Sequence, residues 1–182
     1  MDASARWAGY LAMAAGALTA ILAAFVAYDP NTAAWNGFFL VVVLLAAAVF
    51  GLERPTRAVT GQMGRASAWL SIGGAVGLLA VFAYGLLTDQ VTSASLNPLW
   101  AVTAGAWFLG SIGFGVAIIR SKALSVLGGW LVLAGAVIGA GTSVIPSDSP
   151  AQVVLPLGLL LFGIGWILVG YAATRPSARR AT

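Results

Sequence analysis

Residues 66–88 read ASAWLSIGGAVGLLAVFAYGLLT, an uncharged run closed by Arg65 on one side and Asp89 on the other. Hydrocarbon offers no partner to backbone N–H and C=O groups, so a chain crosses it as a helix of about 20 apolar residues that satisfies those groups internally. The run meets that length and predicts a membrane-spanning helix. Within it Gly73 and Gly77 stand four residues apart, a spacing that lets a second backbone approach closely. Ordinary helix packing is its simplest use.

Outward from this run the pattern recurs. Charged residues cut the chain into six uncharged blocks, 7–28, 30–52, 66–88, 90–119, 123–147 and 149–174, each able to span. Helix cores are expected near 7–27, 34–52, 66–87, 98–119, 123–145 and 151–173. Pro98 suits a helix start, where its missing N–H would be unpaired anyway, and Pro156 is expected to kink the last span. The composition agrees: 60% hydrophobic and 8% charged over 182 residues, against about 25% charged in soluble domains. The longest charge-bearing segment, Glu53 to Arg65, is too short for a soluble module, so residues 1–182 read as a single membrane domain. The run following Arg6 exceeds the 7–15-residue apolar core of a cleaved signal and reads as a retained helix.

Charge fixes an expected orientation. Assigning the joins alternately to two sides puts all nine basic residues, Arg6, Arg54, Arg57, Arg65, Arg120, Lys122, Arg175, Arg179 and Arg180, on one side. Asp29, Asp89 and Asp148 fall on the other. Short loops rich in Lys and Arg stay cytoplasmic, which predicts both termini inside and a multi-pass protein of the cell membrane. The net charge of +4 is explained by this topology and not by nucleic acid. Trp35 and Trp100 near the outer boundary, and Trp7, Tyr10, Trp69, Trp130 and Tyr171 near the inner one, form two interfacial belts.

An internal repeat is also legible. With Tyr10, Trp69 and Trp130 in register, Leu11, Leu70 and Leu131 coincide, followed by Ala14-Ala15-Gly16, Gly73-Gly74-Ala75 and Ala134-Gly135-Ala136. The fold class expected is therefore an all-α integral membrane protein, six transmembrane helices as three helical hairpins of about 7–57, 65–122 and 126–176. Parallel repeats of this kind are related by an axis along the membrane normal.

The reactive inventory is thin. With no Cys and no His there is no thiolate, iron–sulfur ligation or imidazole relay. Pumps and ion-coupled carriers place ionisable groups inside the span, and here none is expected there. Serine lacks a base, paired intramembrane carboxylates are missing, and Lys122 at a cytoplasmic turn cannot serve a retinal. Asp29, Asp89 and Asp148 read as solvated loop carboxylates more simply than as a cation site. No cofactor or metal site is expected, and no enzymatic activity.

One interior feature points to binding. Thr103, Trp107 and Ser111 recur every fourth residue on one helix face at mid-membrane depth, and Trp166 lies on the last span. They are candidate lining for a small apolar cavity with a few polar groups. The same residues have structural uses, because Thr and Ser bond their own i−4 carbonyls and an indole packs between helices. Ala8, Ala12, Gly16, Ala20 and Ala24 form a smooth ridge, facing either another subunit or the bundle.

The units WLSIGGAVGLLAVFAYGLLTD (69–89) and GWLVLAGAVIGAGTSVIPSD (129–148), with the link IIRSKALSVLGGWL (118–131), resemble small bacterial membrane proteins of three two-helix repeats, the HdeD acid-resistance family among them. The resemblance brings no catalytic motif. It implies a stress-related membrane protein. The function expected from the residues is non-enzymatic, through helix packing, as a subunit or stabiliser of a membrane assembly or as a homo-oligomer. The alternative is binding or transport of a small neutral or lipidic molecule, for example as the substrate-capturing subunit of an importer.

Overall fold

The computed structural model describes residues 3–28, 35–88, 97–122, 124–142 and 153–175. Asp29, Asp89 and Asp148, Arg179 and Arg180, and the side chains of Trp35 and Arg54 lie outside the described residues. The elements are all helical: α1 (Ala3–Tyr28), α2 (Trp35–Leu87), α3 (Asn97–Ser121), α4 (Val126–Thr142) and α5 (Leu155–Thr174). Pro98 opens α3 as expected. Pro156 falls in the first turn of α5 and introduces no kink, because a residue without an N–H costs nothing where no carbonyl waits for one.

The expected join from Glu53 to Arg65 is helical instead, and α2 is two arms meeting at Gly61. Gly61 has φ 64° and ψ −158°, a conformation essentially confined to glycine. Nothing lies within 4 Å of where its side chain would be, so the backbone alone demands glycine there. Thr56 and Thr60 donate their hydroxyls to the carbonyls of Leu52 and Thr56, 2.7 and 3.0 Å away, which keeps the segment helical up to the break. The arms then fold back on each other: Phe39 stacks on Phe82, and Phe50 meets Trp69 edge-on at 6.2 Å.

Four segments are long and apolar enough to cross a membrane, Ala3–Tyr28, Thr56–Leu87, Pro98–Ser121 and Leu155–Thr174. The first arm (Gly37–Glu53) and α4 are shorter apolar helices.

Neighbouring elements close a ring, α1 on α2, α2 on α3, α3 on α4, α4 on α5, and α5 back on α1. Most of these seams are built from small residues. Lipid tails are as apolar as leucine, so helices associate in a bilayer by close contact rather than by escaping water. On α1 the inward face is Ala5, Ala8, Gly9, Ala12, Ala15, Gly16, Thr19, Leu22, Ala23 and Val26, so the alanine ridge is taken up by the bundle as far as Gly16. Ala24 points outward.

The last helix is two-sided. Gly163 and Gly170 face Gly16 and Gly9 of α1, while Gly158 and Gly165 face Gly135 and Gly128 of α4. Both pairs recur every seventh residue, and both run antiparallel. A Cβ on Gly9 would stand 2.7 Å from the Gly170 carbonyl oxygen, and one on Gly135 2.6 Å from that of Gly158. Between the second arm of α2 and α3, Ser67, Ser71, Gly74 and Gly77 oppose Gly113, Gly110, Trp107 and Thr103. The seam between the two arms of α2 differs, because aromatic rings meet across it.

The register that aligns Tyr10, Trp69 and Trp130 also aligns environments. All three are about half exposed, and in each unit the following small triplet runs outward or half-buried, then buried, buried. Partners differ, however: Gly16 packs on α5, whereas Gly74 and Gly135 pack on the helix that follows in their own unit.

Candidate functional site

The aromatics separate into two populations. Trp7, Tyr10, Trp69, Trp130 and Tyr171 are between 48% and 69% exposed, as interfacial anchors are. Trp107 and Trp166 are 2% and 1% exposed. These two are the tryptophans that the sequence places within spans.

The four candidate lining residues divide accordingly. The Thr103 hydroxyl donates to the Leu99 carbonyl at 2.7 Å, and its methyl group fills the notch left by Gly77. The Ser111 hydroxyl donates to the Trp107 carbonyl at 2.9 Å and lies 3.4 Å from the Ser71 hydroxyl. Both therefore serve the seam between α2 and α3. Their hydroxyls donate to carbonyls of their own helix.

Trp107 and Trp166 are brought together through Phe162. Its ring meets Trp107 edge-on at 5.6 Å and Trp166 edge-on at 6.1 Å. Trp107 also meets Phe38 edge-on at 5.5 Å, and Phe114 lies parallel to Trp166 at 5.9 Å, 14° between planes. These are favoured aromatic geometries, each worth about 0.5–1.5 kcal/mol beyond area burial. Phe38, Phe114 and Phe162 were not singled out from sequence, because the spans hold many phenylalanines and nothing in their spacing says which face the middle.

One polar atom in this cluster is unmatched. The Trp166 Nε1 is buried and has no hydrogen-bond partner. An indole N–H can only donate, and leaving such a group dry and unpaired costs about 1–3 kcal/mol. The buried hydroxyls contrast with it: Thr19, Thr56 and Ser111 each donate to a carbonyl of their own helix.

A second feature lies toward the basic ends of the helices. Glu53 has a side chain only 12% exposed, its Oε1 3.9 Å from the Arg57 Nε one turn on, and that oxygen accepts no hydrogen bond. The pair satisfies charge rather than geometry. Among the described residues no three His, Cys, Asp or Glu side chains group as metal ligands would. The trio Asp29, Asp89 and Asp148 lies outside the described residues.

Comparison with protein-family models, curated proteins and solved structures finds no match.

Proposed function

We propose that the chain is a six-span protein of the cell membrane, its spans paired as three repeated hairpins with both termini cytoplasmic. Gly37–Glu53 and Val126–Thr142 would be its two short spans. At 1.5 Å per residue each reaches about 26 Å, the lower end of what crosses a bilayer. The packing supports the orientation. Ala8 lies beside Gly51, Ser67 beside Gly113, and Gly9 beside Gly170, which gathers Arg6, Arg57, Arg65, Arg120, Lys122 and Arg175 toward one end of the bundle. Single cysteines at Ser93, Ser147 and Ser177 test it in a chain with no native thiol. Those at 93 and 147 should react with an impermeant maleimide on intact cells, and that at 177 only after lysis. The reverse pattern would overturn the model.

Within that frame we infer a non-enzymatic role through helix packing, as a subunit or stabiliser of a membrane assembly or as a homo-oligomer, in keeping with the stress-related proteins of the HdeD resemblance. One observation carries this reading. Ala66, Gly73 and Ala80 lie exposed on the second arm of α2, with nothing within 4 Å of a side chain at Gly73. Their seven-residue spacing is the one by which α5 holds α1 and α4. Blue-native electrophoresis in mild detergent should show an assembly that Gly73→Leu reduces to the single chain, its folding untouched because the site is open. A chain that migrates alone in several detergents would defeat the reading.

The alternative, binding or transport of a small neutral or lipidic molecule as in a substrate-capturing importer subunit, is favoured by a different observation. That observation is the unmatched Trp166 N–H inside an aromatic cluster.

A further inference from the structure

We propose that the Trp166 indole N–H anchors an interior site for a neutral apolar molecule bearing a carbonyl oxygen, reached from the bilayer between the two arms of α2. The proposal rests on the binding reading above and specifies its ligand and route.

The ligand class follows from what the interior offers. Trp166 supplies one donor and no acceptor, so its complement is an acceptor atom. The neighbours that frame it, Phe114 and Phe162, contribute flat apolar walls. The buried polar side chains of the described residues are Thr19, Thr56, Ser71, Ser111 and Thr142, all uncharged, so nothing there would neutralise an ion. A neutral molecule with a carbonyl satisfies the indole and leaves no charge unpaired. Quinones and acyl-ester lipids both carry that chemistry, and both dissolve in the bilayer.

The route follows from the rings. Phe114, Trp166, Phe162, Trp107, Phe38, Phe39 and Phe82 form an unbroken series of neighbours, with centroid separations of 5.9, 6.1, 5.6, 5.5, 6.4 and 3.3 Å. The series begins at the buried donor and ends at the seam between the arms. Glycine contacts lock backbone to backbone at the α1/α5 and α4/α5 seams. At this seam side chains meet, Phe50 and Trp69 lie more than half or half exposed on it, and the helix breaks at Gly61 where the chain passes from one arm to the other. Rotation of a phenyl ring is the motion that would open such a seam.

The test uses the full chain in detergent micelles, following thermal unfolding against decylubiquinone, monoolein and dodecane. Decylubiquinone or monoolein should raise the midpoint and dodecane, which has no acceptor, should not. Trp166→Phe should need about tenfold more of the active probe, the worth of one hydrogen bond. Trp166→Tyr, which returns a donor, should recover part of that loss. Which probe acts separates a quinone from an ester lipid. If neither carbonyl probe stabilises the native chain, the binding reading falls and this proposal with it. If one does, equally in Trp166→Phe, binding stands and the Trp166 anchor is overturned. Should Trp166→Phe fail to fold, the pair Phe39→Cys with Phe82→Cys decides. Bridging the two thiols with a short bifunctional reagent should slow uptake of the active probe, and cleaving the bridge should restore it. Equal rates in both states would overturn the route.

Discussion

Gly16→Val is expected to destabilise the chain by about 3 kcal/mol or more, at the upper end of overpacking costs, because nothing around it can retreat. A Cβ at this position collides with the Gly163 carbonyl oxygen and stands 2.9 Å from the Ile167 backbone nitrogen. Those are helix backbone atoms, so relief requires α5 to move away from α1 along its length, and the reciprocal contact of Gly163 with the Ala20 nitrogen opens as well. Gly73→Val is the matched control, since its side chain enters open space, and its effect on the folded single chain should be near zero. Titrating both variants with sodium dodecyl sulfate and following helix loss by circular dichroism measures the difference. Equal midpoints would mean that the α1/α5 seam is not held by its glycines.

Trp107→Ala should cost about 3–5 kcal/mol, the range for emptying a large buried aromatic site. The side chain is 2% exposed and its ring adjoins Phe38, Phe108 and Phe162, so three rings from different parts of the ring of helices lose a common neighbour. Trp130→Ala removes the same atoms from a position 54% exposed, and should cost well under half as much. The same detergent titration compares them. A Trp130 effect as large as that of Trp107 would show that interfacial anchoring outweighs interior packing in this chain.

Much of this was legible in the sequence because uncharged runs long enough to cross a bilayer are also long enough to form the apolar helices observed. Each uncharged block overlaps a helix, although charge hid that the join from Glu53 to Arg65 is itself helical and leaves two blocks on one element, α2. A tryptophan close to a charge is exposed, as at Trp7 and Trp69, but Trp130, eight residues from Lys122, is exposed where Trp166, nine from Arg175, is buried, so distance from charge alone does not sort them. The break at Gly61 was hidden, since its singularity is a backbone conformation and Gly61 sits beside Gln62 and Met63 much as Gly64 does. Partners of the small residues were hidden too. A glycine permits close approach without naming its neighbour, so the ridge from Ala8 to Gly16 could be read as packing, but not that Ala8 meets Gly51 of α2 while Gly16 meets α5. The same limit explains the candidate stripe: four-residue spacing put Thr103, Trp107 and Ser111 on one face, and only geometry shows the two hydroxyls bonded to their own helix.

The two-sided last helix has a consequence for synthesis. Gly163 and Gly170 are made well after Gly9 and Gly16, so at about 5–20 residues per second α1 waits on the order of ten seconds for its partner. During that interval α4, too, has Gly128 and Gly135 open on the side that α5 will cover. A nascent chain stopped before Leu155 therefore leaves two glycine notches uncovered at once. Synthesis of α5 removes both in a single docking event, which makes its emergence the step that separates a chain ready to assemble from one that quality control can still recognise.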